Sequence, residues 1–310
     1  MNEPQNNTST KSSFSIGEDA FKYNRLRLGL ATLFTITFAT LALLSPNEYA
    51  SKALLSPVDE DSSLANVARR FDGIAQLAGF SLGGSEVSEV DIALEVLKSR
   101  DFIFEFITKR ELLIPLFGGY DWDSVNNIVK IDPDTYDIDN NKWVREVDPP
   151  FSPEPSLEEA YKLWMEDIMD VSIDRQTKFI DIKIKYISPY ESQKWLSWII
   201  QDVNNLLRKR DVDVADRAIS YLQTEVVNTE SLELREVYYS LIEEQTKTKM
   251  LAFSNKYYAL DVIDSPSFSL KKVGPFRLLL SILGLIVGYF AGLFASLVIQ
   301  YYKYYKSLAT

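Results

Sequence analysis

The chain has 310 residues, a formal net charge of −11, and neither cysteine nor histidine. It therefore has no thiolate nucleophile, no disulfide, no Cys or His zinc ligand and no histidine general base. Residues 45–277 hold 41 of the 44 acidic residues but only 27 of the 33 basic ones, a formal charge of −14. So acidic a segment repels nucleic acid, which excludes functions that depend on binding along a phosphate backbone.

The first apolar run covers residues 28–44 and predicts a transmembrane helix. At about 1.5 Å per residue it would span roughly 26 Å, which is short but sufficient for a bilayer core. The sequence SPNE (45–48) follows it where a secretory signal would show a cleavage site, which favours an uncleaved anchor. Lys22, Arg25 and Arg27 before the run indicate that residues 1–27 form a cytoplasmic tail and that residues 45–277 form a domain on the outer side.

Alternation over residues 48–55 predicts a strand, and helical spacing predicts helices over 64–78, 90–97 and 101–109, the last capped by Ser99. Residues 114–155 contain paired glycines, several prolines and an acidic stretch, and we expect them to be irregular. Ser156 and Glu159 form a capping-box pattern at the start of a helix that would extend to residue 167.

The sequence predicts a β-hairpin with one strand over residues 170–174, a turn over 175–177 and a second strand over 178–187. In its second strand Ile180, Ile182, Ile184 and Tyr186 share one face, while acidic and basic residues occupy the other. Since strand side chains alternate between faces, we expect these four residues to point into the core.

The next segment predicts a long helical hairpin. Ser188 and Glu191 form a second capping-box pattern, with Pro189 at the first helical position, and helical spacing continues uninterrupted over residues 189–227. A return helix is predicted over about 230–256. Residues 258–263 can then form a strand beside residues 48–55, and Pro266 and Pro275 would lie in a linker to a second span.

The second apolar run covers residues 278–299 without one charge and predicts another transmembrane helix, followed by a cytoplasmic tail over 300–310. Gly284, Gly288, Gly292 and Ser296 are each four residues apart, so they share one face along which another helix could approach closely. Glycine is also common in membrane helices in general. The predicted fold is α+β: two transmembrane helices flank a domain with a small mixed sheet at its membrane-proximal base and a long antiparallel helical hairpin.

This order of elements resembles the polysaccharide chain-length determinant family, also called polysaccharide co-polymerases or Wzz proteins, over roughly residues 20–310. Specific stretches are similar as well. They are YASKA (49–53), DIALEVLKSRD (91–101), SPYE (188–191), LIEEQTKTKMLA (241–252) and VIDSP (262–266). One departure is the segment before the second span, which is rich in proline in the family and contains only Pro266 and Pro275 here.

The resemblance implies a bacterial inner-membrane protein with two spans, cytoplasmic termini and a periplasmic domain. It implies a homo-oligomeric ring that acts on an integral-membrane polysaccharide polymerase, with a lipid-linked glycan as a further candidate partner. The implied function is non-enzymatic control of the chain length of a surface polysaccharide such as lipopolysaccharide O-antigen, with no catalytic residue, metal or cofactor.

Three other functions fit parts of the sequence less well. A two-span adaptor of a polysaccharide or solute export system would also present long antiparallel helices, but it would be expected to add a compact β-rich domain. A transmembrane sensor would need an output domain, for which residues 1–27 and 300–310 are too short. A carboxylate glycosidase would need two carboxyls facing one cleft, and nothing in the sequence indicates that convergence.

An acidic pattern and a pair of tryptophans could each suggest a binding site, but both are better explained as parts of the fold. Asp137, Asp139, Asn141 and Asp148 have the spacing of a calcium loop, but a lysine occupies the position where the sharp turn needs glycine, so we interpret a solvated acidic loop. The aromatic residues Trp195 and Trp198 could stack on sugars, but at helical spacing they are more typical of core or protomer contacts.

Overall fold

A computed structural model describes residues 23–58, 89–254 and 256–308. They belong to two compact units, one within Met1–Pro46 and Gly274–Thr310 and the other within Asn47–Val273. The helix predicted over 64–78 lies outside the described residues. The fold class is confirmed as α+β, with an apolar helix near each end, a small sheet and a long helical hairpin.

The helices are α1 (Asn24–Leu44), α2 (Glu89–Lys98), α3 (Arg100–Lys109), α4 (Leu113–Gly118), α5 (Leu157–Leu163, continued by a π-helical segment over Trp164–Ile168), α6 (Pro189–Asn228), α7 (Leu232–Ser254) and α8 (Arg277–Leu308). The strands are β1 (Tyr49–Pro57), β2 (Gly119–Asp123), β3 (Ile128–Ile131), β4 (Tyr136–Asp137), β5 (Lys142–Trp143), β6 (Met169–Ile173), β7 (Ile180–Tyr186) and β8 (Leu260–Ser267). Helices α1 and α8 pack against each other, and both are long and apolar enough to cross a membrane.

The main sheet has four strands in the order β6-β7-β1-β8. The return strand β8 lies beside β1, as predicted, but every pairing is antiparallel, whereas the sequence predicted a mixed sheet. Alternation reveals which face of a strand is buried but not the direction in which its neighbour runs. That direction follows from the connections: a tight turn joins β6 to β7, and β1 pairs with β7 from Tyr49–Tyr186 to Leu55–Ile180.

The core lies on one face of this sheet. The prediction for β7 is confirmed, because Ile180, Ile182, Ile184 and Tyr186 are all buried. The first turns of α6 pack here, and the ring of Trp195 lies 4.2 Å from that of Tyr186 and 5.9 Å from that of Trp164, centroid to centroid. Burial of these large apolar side chains supplies the main driving force for folding of this unit.

Residues 114–155 are more ordered than the sequence predicted. They contain α4 and two small antiparallel pairs, β2-β3 and β4-β5. Strands of two to five residues are too short to show a clear alternation, and their turns use Asn127 and Asn141 at positive φ. One hydrogen bond joins this segment to the main sheet: the Tyr186 hydroxyl on β7 donates to the Pro115 carbonyl. A Cβ on Gly119 would lie 2.6 Å from that carbonyl oxygen, so this close approach requires glycine.

The two predicted capping boxes differ. The box at α5 is complete, because Ser156 Oγ accepts from the Glu159 amide and the Glu159 carboxylate accepts from the Ser156 amide. At α6, Ser188 Oγ accepts from the Glu191 amide at 3.3 Å, but the Glu191 carboxylate bonds to Lys194 Nζ instead. Half of the second box is therefore formed, and α6 still begins at Pro189 as predicted.

Candidate helix-packing and subunit-contact surfaces

The predicted glycine file of α8 faces α1. A Cβ on Gly284 would lie 2.8 Å from the Phe38 Cβ, and one on Gly288 would lie 2.8 Å from the Ala31 Cα. A Cβ on Gly292 would lie 2.7 Å from the Arg27 Cα. Distances below 3 Å are shorter than real Cβ contacts, so these residues have to be small if the two backbones are to approach this closely.

Ser296, the fourth residue of the file, forms a hydrogen bond rather than an apolar contact. The Arg27 guanidinium donates to Ser296 Oγ from Nη2 at 3.0 Å and from Nε at 3.3 Å, and both residues are buried. Sequence reasoning treated Arg27 only as a marker of the cytoplasmic side. The missed signal is that Arg27 lies three residues before Leu30 and four before Ala31, on the face that meets the glycine file, once the helix is seen to begin at Asn24.

A second arginine lies at the opposite end of this helix pair. Arg277 Nε donates to the Ala42 carbonyl at 3.0 Å, and Nη2 donates to the Ser45 carbonyl at 3.5 Å. The last carbonyls of a helix have no partner within the helix, so Arg277 satisfies groups at the end of α1. In the predicted topology its basic charge falls on the outer side of the second span, against the usual charge bias of membrane proteins, and the bonds to the end of α1 give that charge a local structural reason.

The two linker prolines are placed differently. Pro275 lies two residues before α8, and its carbonyl accepts from the Arg277 amide at 2.9 Å. Pro266 instead lies within β8, and its carbonyl accepts from Gln193 Nε2 at 2.8 Å. Strand β8 is at the edge of the sheet, where a residue without an N–H is tolerated. The structure therefore places Pro266 in the sheet and only Pro275 in the linker.

Helix α6 has a buried half (189–207) and an exposed half (208–228). The buried half contains ten of the eleven buried residues of the helix, and the exposed half contains only Ala215. Large apolar side chains of the exposed half and of α7 face solvent. The most exposed are Tyr221, Val227, Leu232, Met250 and Phe253, at 66–80%. Exposed apolar residues gathered on one helical hairpin are typical of a surface that contacts another protein chain.

The carboxylates have structural partners where they are buried. Asp202 on α6 accepts from Lys109 Nζ at 3.0 Å and from Nε and Nη2 of the Arg110 guanidinium at 3.0–3.2 Å. The Arg110 guanidinium also lies over the Trp198 ring, 4.7 Å from its centroid. These ion pairs of the buried Asp202 with two cations join the end of α3 to α6, and sequence reasoning missed them because the partners are about 90 residues apart.

The acidic loop is organised by hydrogen bonds. The Asp137 carboxylate accepts from the Asn140 side chain and backbone amide, and these bonds hold the Asp137 pKa below its usual value. Within 23–58, 89–254 and 256–308, no cluster of three or more acidic side chains is arranged to hold a metal ion. Trp195 is fully buried, as its interpretation as a core residue requires.

The sequence matches no family model and no curated protein. Among solved structures, the chain is similar to a full-length bacterial polysaccharide co-polymerase at 14% identity and a TM-score of 0.37, covering 93% of this chain and 97% of the other. It is also similar to a fragment of WzzB, a polysaccharide co-polymerase from Salmonella Typhimurium, at 14% identity and a TM-score of 0.29, covering 74% of this chain and all of the fragment. Both are co-polymerases, the family that the sequence motifs resemble.

Proposed function

We propose that this protein is a non-enzymatic regulator of surface polysaccharide chain length in a bacterial inner membrane. The observation that carries the proposal is the combination of the five family-like stretches with one architecture: an apolar helix near each end and, between them, an α+β domain with a 40-residue helix. In this proposal both termini are cytoplasmic and residues 45–277 form the periplasmic domain.

The protein acts as a homo-oligomeric ring. The support is the hairpin of α6 and α7, whose exposed half carries apolar side chains that one chain leaves in solvent. Copies of the chain would cover those side chains by packing their hairpins side by side. Burial of apolar surface then drives assembly, in the same way that it drives folding.

The ring serves as a scaffold for the integral-membrane polymerase, and the polymer is lipopolysaccharide O-antigen. The polymerase contact lies in the membrane, where α1 and α8 form one packed pair whose outer faces are apolar. The close contact along Gly284, Gly288 and Gly292 gives that pair a fixed register, so the ring presents a repeated surface to its partner. Held there, the polymerase would extend each chain for a limited time before release.

The test is to delete the gene and separate the surface polysaccharide on a size-resolving gel, with and without a plasmid copy. We expect polymer to be made without its modal length, and the modal length to return with the plasmid. Polymer that accumulates inside the cell and is absent from the surface would instead indicate the export adaptor. An unchanged size distribution in a strain without another length regulator would contradict the proposal.

Substitution of Gly288 sharpens this test. Gly288→Leu should fail to restore the modal length, because even a Cβ at this position meets the α1 backbone at 2.8 Å. Gly29→Leu is the matched control, because a Cβ on Gly29 meets nothing within 4 Å and the residue lies on the other helix of the same pair. Restoration by both variants at equal protein levels would show that the glycine contact is not needed.

A further inference from the structure

A groove of about 520 Å³ lies between α6 and the edge strand β8. One wall is a single face of α6 that carries Ser197, Gln201, Asn205 and Arg208. The other wall carries Lys256 and Tyr257 from the segment after α7, and Ser265 from β8. The groove lies wholly within the unit that contains the main sheet.

The wall opposite α6 is held in place by one buried side chain. Asn204 Oδ1 accepts from the backbone amides of Tyr258, Ala259 and Leu260 at 2.9–3.0 Å, and its Nδ2 donates to the Leu260 carbonyl. Arg208 Nη2 donates to the Lys256 carbonyl at 2.9 Å. The two walls are therefore fixed relative to each other before any ligand arrives, which reduces the entropy lost on binding.

The groove presents polar groups that the fold does not use. The Gln201 amide and the Ser265 hydroxyl have no hydrogen-bond partner among the described residues. The Tyr257 ring is only partly buried, and Lys256 Nζ lies over one of its faces, 4.9 Å from the centroid. Amides and hydroxyls beside an aromatic ring are the groups that bind a sugar, because the hydroxyls of a sugar need hydrogen-bond partners and its C–H face packs on a ring.

The charge of the groove differs from that of the domain around it. Residues 45–277 carry a formal charge of −14, but both charged residues that line the groove, Arg208 and Lys256, are basic. Positive charge at the groove attracts an anionic group. The expected ligand therefore has the hydroxyl groups of a sugar and at least one negative charge.

We propose that this groove binds an oligosaccharide segment that carries an acidic group. Tyr257 packs the ring face that Lys256 does not cover against a sugar ring, Gln201 and Ser265 bond to the hydroxyl groups of the sugar, and Lys256 binds the acidic group. The proposal rests on the proposed function, since it makes the growing polysaccharide the ligand of the domain. It gives the scaffold a direct contact with the polymer whose length it regulates.

The first experiment titrates the full-length protein, purified in mild detergent, with three probes. They are a tetrasaccharide of alternating hexuronic acid and N-acetylhexosamine, the neutral maltotetraose, and inorganic pyrophosphate. We expect saturable binding of the acidic tetrasaccharide and binding of the neutral one about tenfold weaker. Binding of pyrophosphate with no binding of either tetrasaccharide would overturn the proposal, as would the absence of saturable sugar binding.

The second experiment uses variants. Tyr257→Ala and Lys256→Ala should each weaken binding of the acidic tetrasaccharide about tenfold. Tyr120→Ala and Lys247→Ala are matched controls, since both residues are exposed and neither lines the groove, and they should bind like the wild type. Loss of the oligomer in Tyr257→Ala with unchanged sugar binding would identify the groove as a subunit contact and overturn the proposal.

The two proposals fail separately. If gene deletion abolishes the modal length but Tyr257→Ala binds sugar and restores length like the wild type, the groove proposal is wrong and the regulatory function stands. If deletion leaves the polysaccharide unchanged, the regulatory function is wrong, and the titration with its control variants still determines whether the groove binds sugar.

Discussion

The two halves of α6 belong to one continuous helix but differ in what stabilises them. The buried half packs Trp195, Leu196 and Ile199 against the sheet, all without solvent exposure. The exposed half is joined to α7 by contacts such as the ion pair between Asp216 and Lys249, 2.7 Å apart, and leaves Tyr221 and Val227 in solvent. Since most helix stability in proteins comes from tertiary packing, the exposed half depends on its contacts with α7 and, in the proposed ring, on neighbouring chains.

This difference separates two roles within a single element. Substitutions in the buried half should act on the free energy of unfolding of one chain. Substitutions in the exposed half should act on assembly and leave that free energy nearly unchanged. The following predictions test that separation, from the largest expected effect on unfolding to the smallest.

Trp195→Ala should lower the free energy of unfolding by about 3–5 kcal/mol, because it removes a fully buried ring that packs on Tyr186 and Trp164. Denaturant unfolding of the purified protein measures this. Trp195→Phe is the control: it keeps an aromatic ring and removes an indole N–H that is buried without a hydrogen-bond partner, so its effect should be much smaller. Equal losses in both variants would show that packing does not dominate here.

Asn204→Ala should lower the free energy of unfolding by about 1–3 kcal/mol, because three backbone amides lose their shared acceptor. Its neighbour Asn205 is exposed, so Asn205→Ala should have an effect within about 0.5 kcal/mol. The same unfolding measurement compares the two variants. Similar values would mean that Asn204 does not secure the segment before β8.

Asp174 makes the stability of the β6-β7 hairpin depend on pH. Its carboxylate accepts from the backbone amides of Gln176 and Thr177, and these bonds hold its pKa below the usual value. A carboxyl group whose pKa is lowered by folding contributes stability above its unfolded value of about 3.9 and loses that contribution as pH falls through the folded value. Asp174→Asn should therefore be less stable than the wild type at pH 7, and the difference should shrink below about pH 4. A constant difference across that range would contradict this.

Tyr221→Ala should change the free energy of unfolding by no more than about 0.5 kcal/mol, because the side chain is 66% exposed. It should nevertheless weaken assembly, which light scattering at several protein concentrations would measure. A substantial loss of stability in a strictly monomeric preparation would show that this half of α6 is stabilised within the chain.

Much of this architecture could be predicted from local patterns. The alternation of Ile180, Ile182 and Ile184 correctly predicted the buried face of β7. Uninterrupted helical spacing after Pro189 predicted a long helix, which in the structure extends to Asn228. Apolar runs likewise indicated the two long apolar helices. These predictions are correct because each depends on residues that are neighbours in sequence.

The features that were missed depend on residues far apart in sequence. Asn204 bonds to amides 54–56 residues later, and Arg27 bonds to Ser296, 269 residues away. Nothing in the neighbourhood of Asn204 distinguishes it from a solvated polar side chain, and the helical spacing of Arg27 indicates its buried face only once the start of α1 is known. The small strands within residues 114–155 were not predicted for another reason. They are short and half exposed, so periodicity carries little information about them.

The most direct test of the account is the mass of the purified full-length protein in mild detergent, measured over a wide range of protein concentration. The account predicts an oligomer whose mass does not depend on concentration, and its partial dissociation when Tyr221, Val227 and Phe253 are replaced together by serine. A monodisperse monomer at every concentration would contradict the central claim that the exposed half of α6 is a contact surface between copies of the chain.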